Sequence, residues 1–433
     1  MNKAHPMNNT DKLATTTSWF RTAAPYIHAH RGATFVIAFD GETIDSDGFD
    51  PLLHDIAILS SLGIKLVLLY GARPQIEAQC EQQGIAVRYH RGLRITDDGS
   101  LEVAQAVIGK LRLDIESKLS FGLPNTPMAD ARIRCTSGNL VTARPAGIID
   151  GVDLGHTGEV RRIDVEGINQ QLELGNIVLL PPLGYSLTGE IFNLSSEAIA
   201  TAVAVSLRAD KLIFIGPSNR DLPRELTVQQ ARENMAAHPY LTAAVQACKS
   251  GVGRVHLLDR ARDGVLLQEL FSRDGAGTLI TATSFETTRQ ARIEDVGGIL
   301  ELLQPLEANG TLVKRSRELL EREIDHFTVM ERDGSVIACA ALYPYPENRV
   351  AELACLAVSN DYQKEGRGKQ LLSSLEQSAL NAGIESLYVL TTQTAHWFLE
   401  HGFKPAEIDD LPVAKRALYN YQRNSRVFRK QLG

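Results

Sequence analysis

Four short apolar runs, TFVIAFDG, KLVLLYGARPQ, NIVLLPPLG and DKLIFIG, recur between residues 34 and 216, separated by stretches long enough for helices. A strand that is apolar at consecutive positions has to be covered on both faces. The segments DPLLHDIAILSSLG and SSEAIATAVAVSL place apolar residues at helical spacing between the runs. Such alternation predicts an α/β fold, an open and mainly parallel sheet with helices on both faces. Ligands in these folds sit beyond the carboxyl ends of the strands.

The alternation breaks at TATSFET, residues 281–287, and RQARIEDVGGILELL begins a new strand and helix. This divides the chain into a disordered segment 1–18, a first domain 19–282, a linker 283–288 and a second domain 289–433. Residues Trp19 to His30 read as a short amphipathic segment, with Trp19, Phe20, Ala23, Ala24 and Ile27 on one face and Pro25 interrupting it.

In the second domain, the strand-like run AELACLAVS (Ala351 to Ser359) leads into Gln363-Lys364-Glu365-Gly366-Arg367-Gly368. A helix with Leu371, Leu372, Leu375 and Ala379 on one face follows. A glycine-bearing turn between strand and helix converges backbone N–H groups on the positive helix end, which suits a pyrophosphate. Gly366 and Gly368 let the backbone approach, Gln363, Lys364 and Arg367 add donors, and Glu365 and Lys369 complete the loop. The strand end, through Leu356 and Val358, borders the same ligand.

Composition narrows the class. The chain has 433 residues, 44% hydrophobic and 22% charged, as in ordinary globular proteins of two or three domains. With 45 Lys and Arg against 52 Asp and Glu the net charge is −7, which argues against nucleic-acid or membrane-surface partners. The polar N-terminus lacks the apolar stretch of a signal peptide, and no run suits a bilayer span. Five scattered cysteines without metal-ligand spacing read as reduced thiols in a cytoplasmic protein, with no metal site.

The glycine loop resembles the acyl-CoA loop of the GNAT acetyltransferases, Q/R-x-x-G-x-G/A. The strand SLYVLTT (Ser386 to Thr392), the helix in AHWFLEHGFKP and the Gly402-Phe403 break follow in the order those domains use. Residues 25–282 resemble the amino-acid kinase family, acetylglutamate kinase most closely, through VIAFDGE, LVLLYGARPQIE, FNLSSEAIATAVA, DKLIF and LLQELFSRDGAGTLI. Where the kinases carry a phosphate-holding lysine and two glycines, this chain has Ala38, Phe39, Asp40 and Gly41. Their second glycine-rich loop is replaced by Gly71-Ala72-Arg73-Pro74. The resemblance therefore implies a kinase fold without kinase chemistry, since phosphoryl transfer depends on positioning and positive charge. A kinase-like domain followed by a GNAT α+β domain is similar to the bacterial N-acetylglutamate synthase family. That implies acetyl transfer from acetyl-CoA to the α-amino group of L-glutamate, inhibition by L-arginine, and a homo-oligomer, a hexamer by family resemblance. Two alternatives are a bifunctional synthase and kinase, and a non-catalytic sensor of acetyl-CoA and amino acids.

Acetyl transfer to an amine requires a proton acceptor, a stabilised oxyanion and a leaving thiolate. Glu352, a carboxylate within an apolar strand, is the candidate base, because such a group is costly unless paired or used. Simple alternation sets Glu352, Ala354 and Leu356 on one face and Leu353, Cys355 and Ala357 on the other, unless a bulge intervenes. By resemblance, backbone N–H groups at Cys355 and Leu356 hold the thioester oxygen. The Cys355 thiol has no nearby histidine and reads as a core residue. Thr391, or Thr392, is the candidate to assist the thiolate, because Trp397 and Phe398 stand where many GNAT enzymes use tyrosine. Glutamate's carboxylates call for arginines. Arg315 with Lys314, and Arg423, are the candidates. For arginine, the resemblance implies Tyr26 on the N-terminal helix, Glu269, and backbone at Gly275 and Gly277.

Overall fold

The computed structural model describes residues 9–120, 126, 128, 133–282, 286–332, 334–363, 366–417 and 425–433. Contacts divide the chain into two compact units, Met1–Thr283 and Ser284–Gly433.

The first unit opens with helix α1 (Asn9–His30). Residues 9–18 are thus helical rather than disordered, and Pro25 sits inside the helix without ending it. The apolar face also differs from expectation. Ala23 and His30 are buried and Tyr26 and Ile27 half-buried, whereas Trp19, Phe20 and Ala24 are exposed. That i, i+3, i+4, i+7 stripe packs on the core, and His30 Nε2 meets the Leu270 carbonyl at 2.8 Å. These contacts offset the hydrogen bond that proline cannot make.

The sheet contains β1 (Thr34–Phe39), β2 (Lys65–Tyr70), β3 (Cys135–Thr136), β4 (Ile177–Leu180), β5 (Lys211–Gly216), β6 (Glu225–Thr227), β7 (Arg254–Asp259) and β8 (Thr278–Thr281). Its order is β6-β8-β7-β5-β1-β2-β4-β3, parallel except between β7 and β8. Strand β1 shows why consecutive apolar residues are required. Phe35, Ile37 and Phe39 enter one core layer and Val36 and Ala38 the other. Helix α2 (Phe49–Ser61) packs in the first layer and α3 (Ser196–Leu207) in the second. Helix α4 (Val265–Phe271) precedes β8 and packs beside α1.

The second unit is one seven-stranded sheet. It contains β9 (Glu286–Gln290), β10 (Phe327–Arg332), β11 (Ser335–Tyr345), β12 (Val350–Val358), β13 (Ser386–Thr391), β14 (Lys404–Ala406) and β15 (Arg426–Gln431), in the order β9-β10-β11-β12-β13-β15-β14. Residues 286–288, expected in the linker, belong to β9 and pair with β10. Helices α5 (Val296–Ala308), α6 (Arg367–Asn381), α7 (Ala395–Glu400) and α8 (Val413–Arg416) complete the part that concerns the site.

Two irregularities shape the centre of this sheet. Strands β12 and β13 pair in parallel from Val350↔Ser386 only to Glu352↔Tyr388, although both run on, to Val358 and Thr391. Their facing edges part beyond Glu352. Opposite, the β11–β12 register passes from Ala341↔Ala354 to Cys339↔Ala357, so Cys355 and Leu356 stand against Ala340 alone. This is a bulge, and Cys355 has φ +54°. It breaks the expected alternation. Ala351, Leu353, Leu356 and Val358 share one core cluster, while Ala354, Cys355 and Ala357 share the other.

Candidate active site

Glu352 stands at the last paired position before the strands part, only 7% exposed. An isolated carboxylate there would be expensive. Lys415 of α8 supplies the partner, its Nζ 2.7 Å from Glu352 Oε2. Nothing in the sequence around Glu352 announces this lysine, which comes from a four-residue helix near the C-terminus.

Three residues on, the positive φ of Cys355 re-aims the backbone beside the parted edges. A non-glycine residue in that region costs on the order of 1–3 kcal/mol and persists only where the surroundings enforce it. Burial pushes the Cys355 thiol up to about 11, so it is protonated near neutrality. A protonated, 2% exposed thiol is a poor nucleophile.

Arg315 acts electrostatically on the same cysteine, as Glu352 does. Its backbone N–H donates to Glu307 Oε1 at 2.9 Å, fixing a half-buried guanidinium near Tyr343, whose hydroxyl donates to Glu323 Oε2 at 2.7 Å. Burial works against the guanidinium charge, but Cys355, Tyr343 and Glu323 around it prevail and hold it charged. Lys314 is exposed, and Arg423 lies outside the described residues. Glu352, Cys355 and Arg315 are thus brought together, while Tyr343, Glu323 and Lys415 are neighbours that sequence reasoning missed.

Two glycines mark the entry to α6, Gly366 just before it and Gly368 within its first turn. Gly366 has φ +81° and precedes the first helical residue with open space on its Cβ side. A Cβ on Gly368 would come within 3.3 Å of Trp397 Cζ2 and 3.8 Å of Val358 Cγ2. Helix α6 begins at this turn, and the first N–H groups of a helix have no partner within it. Two side chains expected to donate here are engaged within the protein. Gln363 Nε2 donates to Asn360 Oδ1 at 2.9 Å and to the Val358 carbonyl at 3.3 Å. Arg367 is turned to Glu286 at 2.7 Å and stacks over Tyr362. Lys369 is exposed; Lys364 and Glu365 lie outside the described residues.

At the end of β13, Thr391 Oγ1 accepts from the Thr394 N–H at 3.0 Å and meets Thr394 Oγ1 at 2.8 Å. Thr392 Oγ1 is buried with no hydrogen-bond partner among the described residues. Trp397 packs on His401 with ring centroids 4.0 Å apart. Among the described residues no group of acidic, histidine or cysteine side chains could hold a metal ion.

The chain as a whole has known relatives. The GNAT acetyltransferase pattern matches residues 298–403, and the amino acid kinase family pattern matches residues 33–259. The amino-acid acetyltransferase of Ectopseudomonas mendocina (strain ymp) is 52% identical over 427 residues, 96% of this chain and 99% of that protein. The chain belongs to the amino-acid acetyltransferase family. The Azotobacter vinelandii enzyme of that name is 53% identical over the same share. N-acetylglutamate synthase from Neisseria gonorrhoeae complexed with coenzyme A and L-arginine matches with TM-score 0.88 and 41% identity, over 96% of this chain and 99% of that one. The complex with coenzyme A and N-acetyl-glutamate matches with TM-score 0.61 and 40% identity over the same shares.

In the first unit of this acetyltransferase, a cavity of about 540 Å³ opens where β1 and β2 end, lined by Asp40, Gly71, Arg73, Glu197, Tyr240 and Arg260 among others. Asp40 accepts from Arg260 at 2.6 Å. An ion pair between Asp40 and Arg260 thus lines this cavity.

The four residues expected around arginine fall on α1, α4 and the loop before β8. Glu269 is 5% exposed at the side chain, with Oε1 2.5 Å from His256 Nδ1. Its Oε2 accepts from the N–H groups of Ala276 and Gly277, at 2.5 and 2.7 Å. Burial would raise this carboxyl, but His256 and the two N–H groups prevail and hold it at about 2. Gly275 has φ +62°, and a Cβ on it would strike Glu269 at 2.5 Å. Tyr26 packs against the same layer, its ring 6.4 Å from His30. Among the described residues no helix is long and apolar enough to cross a membrane.

Proposed function

We propose that this acetyltransferase transfers the acetyl group of acetyl-CoA to the α-amino group of L-glutamate, giving N-acetyl-L-glutamate and CoA, the first step of arginine biosynthesis. The observation that carries the reading is the juxtaposition of the paired Glu352, the bulge at Cys355 and the parting of β12 from β13. The coenzyme A and N-acetyl-glutamate bound by the Neisseria enzyme support the choice of ligands.

In this mechanism Gly366, Gly368 and the α6 N-terminus receive the pyrophosphate. The N–H groups at Cys355 and Leu356 polarise the thioester oxygen as charge develops on it. Glu352, paired with Lys415, takes the proton from the substrate ammonium, directly or through a water. Arg315 binds a substrate carboxylate. Thr391 or Thr392 assists the departing thiolate.

Arginine, in the same reading, binds the first unit near Tyr26, Glu269, Gly275 and Gly277 and lowers turnover. Since Glu269 is committed to His256 and two N–H groups, its contribution is to shape the 272–277 loop, whose backbone then meets the effector. Inhibition from a separate site requires a second global state that arginine favours. A cytoplasmic location and a homo-oligomer belong to the same proposal. Thiol release from acetyl-CoA, measured across a panel of amino acids, tests it. Release with L-glutamate and arrest by arginine is the expected result; equal rates with every amino acid would refute the substrate assignment.

A further inference from the structure

We propose that Glu286 is a positioning residue for acetyl-CoA, holding the diphosphate turn in place through Arg367. It rests on the acetyl-CoA reading above and concerns a residue on an edge strand of the sheet, 81 positions before the arginine it holds.

Glu286 is the first residue of β9. Its side chain is 12% exposed and that of Arg367 is 11% exposed. Arg367 Nε reaches both carboxylate oxygens at 2.9 Å, and Nη2 reaches Oε1 at 2.7 Å. Arg332 Nη1 of β10 meets the same Oε1 at 3.0 Å. Both guanidinium groups lie over the Tyr362 ring, at 4.8 and 5.6 Å, and Arg367 Nη1 also donates to the Tyr362 carbonyl at 3.3 Å. Tyr362 is buried just before the loop, and Arg367 is the first residue of α6.

The carboxylate therefore ties together β9, β10, the residue before the loop and the residue after Gly366. Burial would raise the Glu286 carboxyl, but the two arginines prevail and keep it low, so the tie persists across the working pH range. A planar guanidinium gripped at several points leaves Arg367 little freedom. Its Cα sits between the two glycines whose backbone must meet the phosphates. Removing a partner of a buried ion pair leaves the other charge uncompensated, so Arg367 would swing outward and the turn would lose its fixed shape.

The rival role for Arg367, a direct phosphate ligand, makes the opposite forecast for Glu286. Freeing the guanidinium would then leave acetyl-CoA binding intact or tighten it. The experiment uses the full chain, with acetyl-CoA affinity read by calorimetry and KM and kcat by thiol release. Glu286→Gln and Arg367→Met should each weaken acetyl-CoA binding and raise its KM on the order of tenfold. Saturated kcat and the KM for the amino acid should stay within about twofold, since the chemistry is untouched. The double variant should be no worse than either single one, because both break one unit. Normal or tighter binding by Glu286→Gln, with weak binding by Arg367→Met alone, overturns the proposal. If Glu286→Gln does not fold, Glu286→Asp keeps the charge and shortens its reach; it should shift affinity the same way, and wild-type affinity there also overturns the clamp. A wild-type chain that binds no acetyl-CoA would refute the acetyltransferase reading as well, and so separates the two failures.

Discussion

Glu352 and Lys415 meet at 2.7 Å in the sheet of the second unit, one at the last position where β12 still pairs with β13, the other on a four-residue helix. The lysine answers the cost of a buried carboxylate.

Glu352→Gln is expected to lower kcat by about a hundredfold or more while leaving acetyl-CoA affinity nearly unchanged, because a base acts on the amine. Full activity in that variant would move the role to another group or to solvent.

Lys415→Met should lower kcat while leaving acetyl-CoA affinity nearly unchanged, because Glu352 loses the partner that orients it. Wild-type kcat in a folded variant would show that the pair is only structural.

Gly368→Val should abolish acetyl-CoA binding. The added methyls would strike Trp397, since a Cβ alone would come within 3.3 Å of its ring, and would fill the approach to the turn. Normal binding by calorimetry would remove the loop assignment.

Glu269 links stability and regulation. Its carboxyl is held at about 2 against an ordinary 4.5, so its stabilising contribution is fully present above the ordinary value and is lost as pH falls through 2. Glu269→Gln should therefore cost on the order of 2 kcal/mol at pH 7, and less as pH falls below 4.5, as read from urea unfolding. Arginine titrations of wild type and Glu269→Ala test the second role, and equal inhibition of both would place the effector elsewhere.

The Cys355 thiol, buried and pushed up to about 11, should resist iodoacetamide in the folded protein at pH 8 and react once the chain is unfolded. Labelling in the folded state, read by intact mass, would contradict the buried, protonated thiol.

What the sequence determined by itself is local or periodic. Continuous apolar runs such as Phe35 to Phe39 can only be buried on both faces, so the parallel sheet was legible. The glycine turn before α6 was equally legible, because Gly366 is needed for φ +81°. Glu352 could be singled out as a carboxylate in an apolar strand. The tertiary structure decided what depends on distant partners. Nothing near Pro25 tells that packing on α4 carries α1 through it, and Cys355 gives no hint of a positive φ that its cross-strand register enforces. Lys415 for Glu352 and Glu286 for Arg367 are chosen by how the sheet brings remote segments together, and ion pairing is set by proximity in space, which spacing along a chain does not encode.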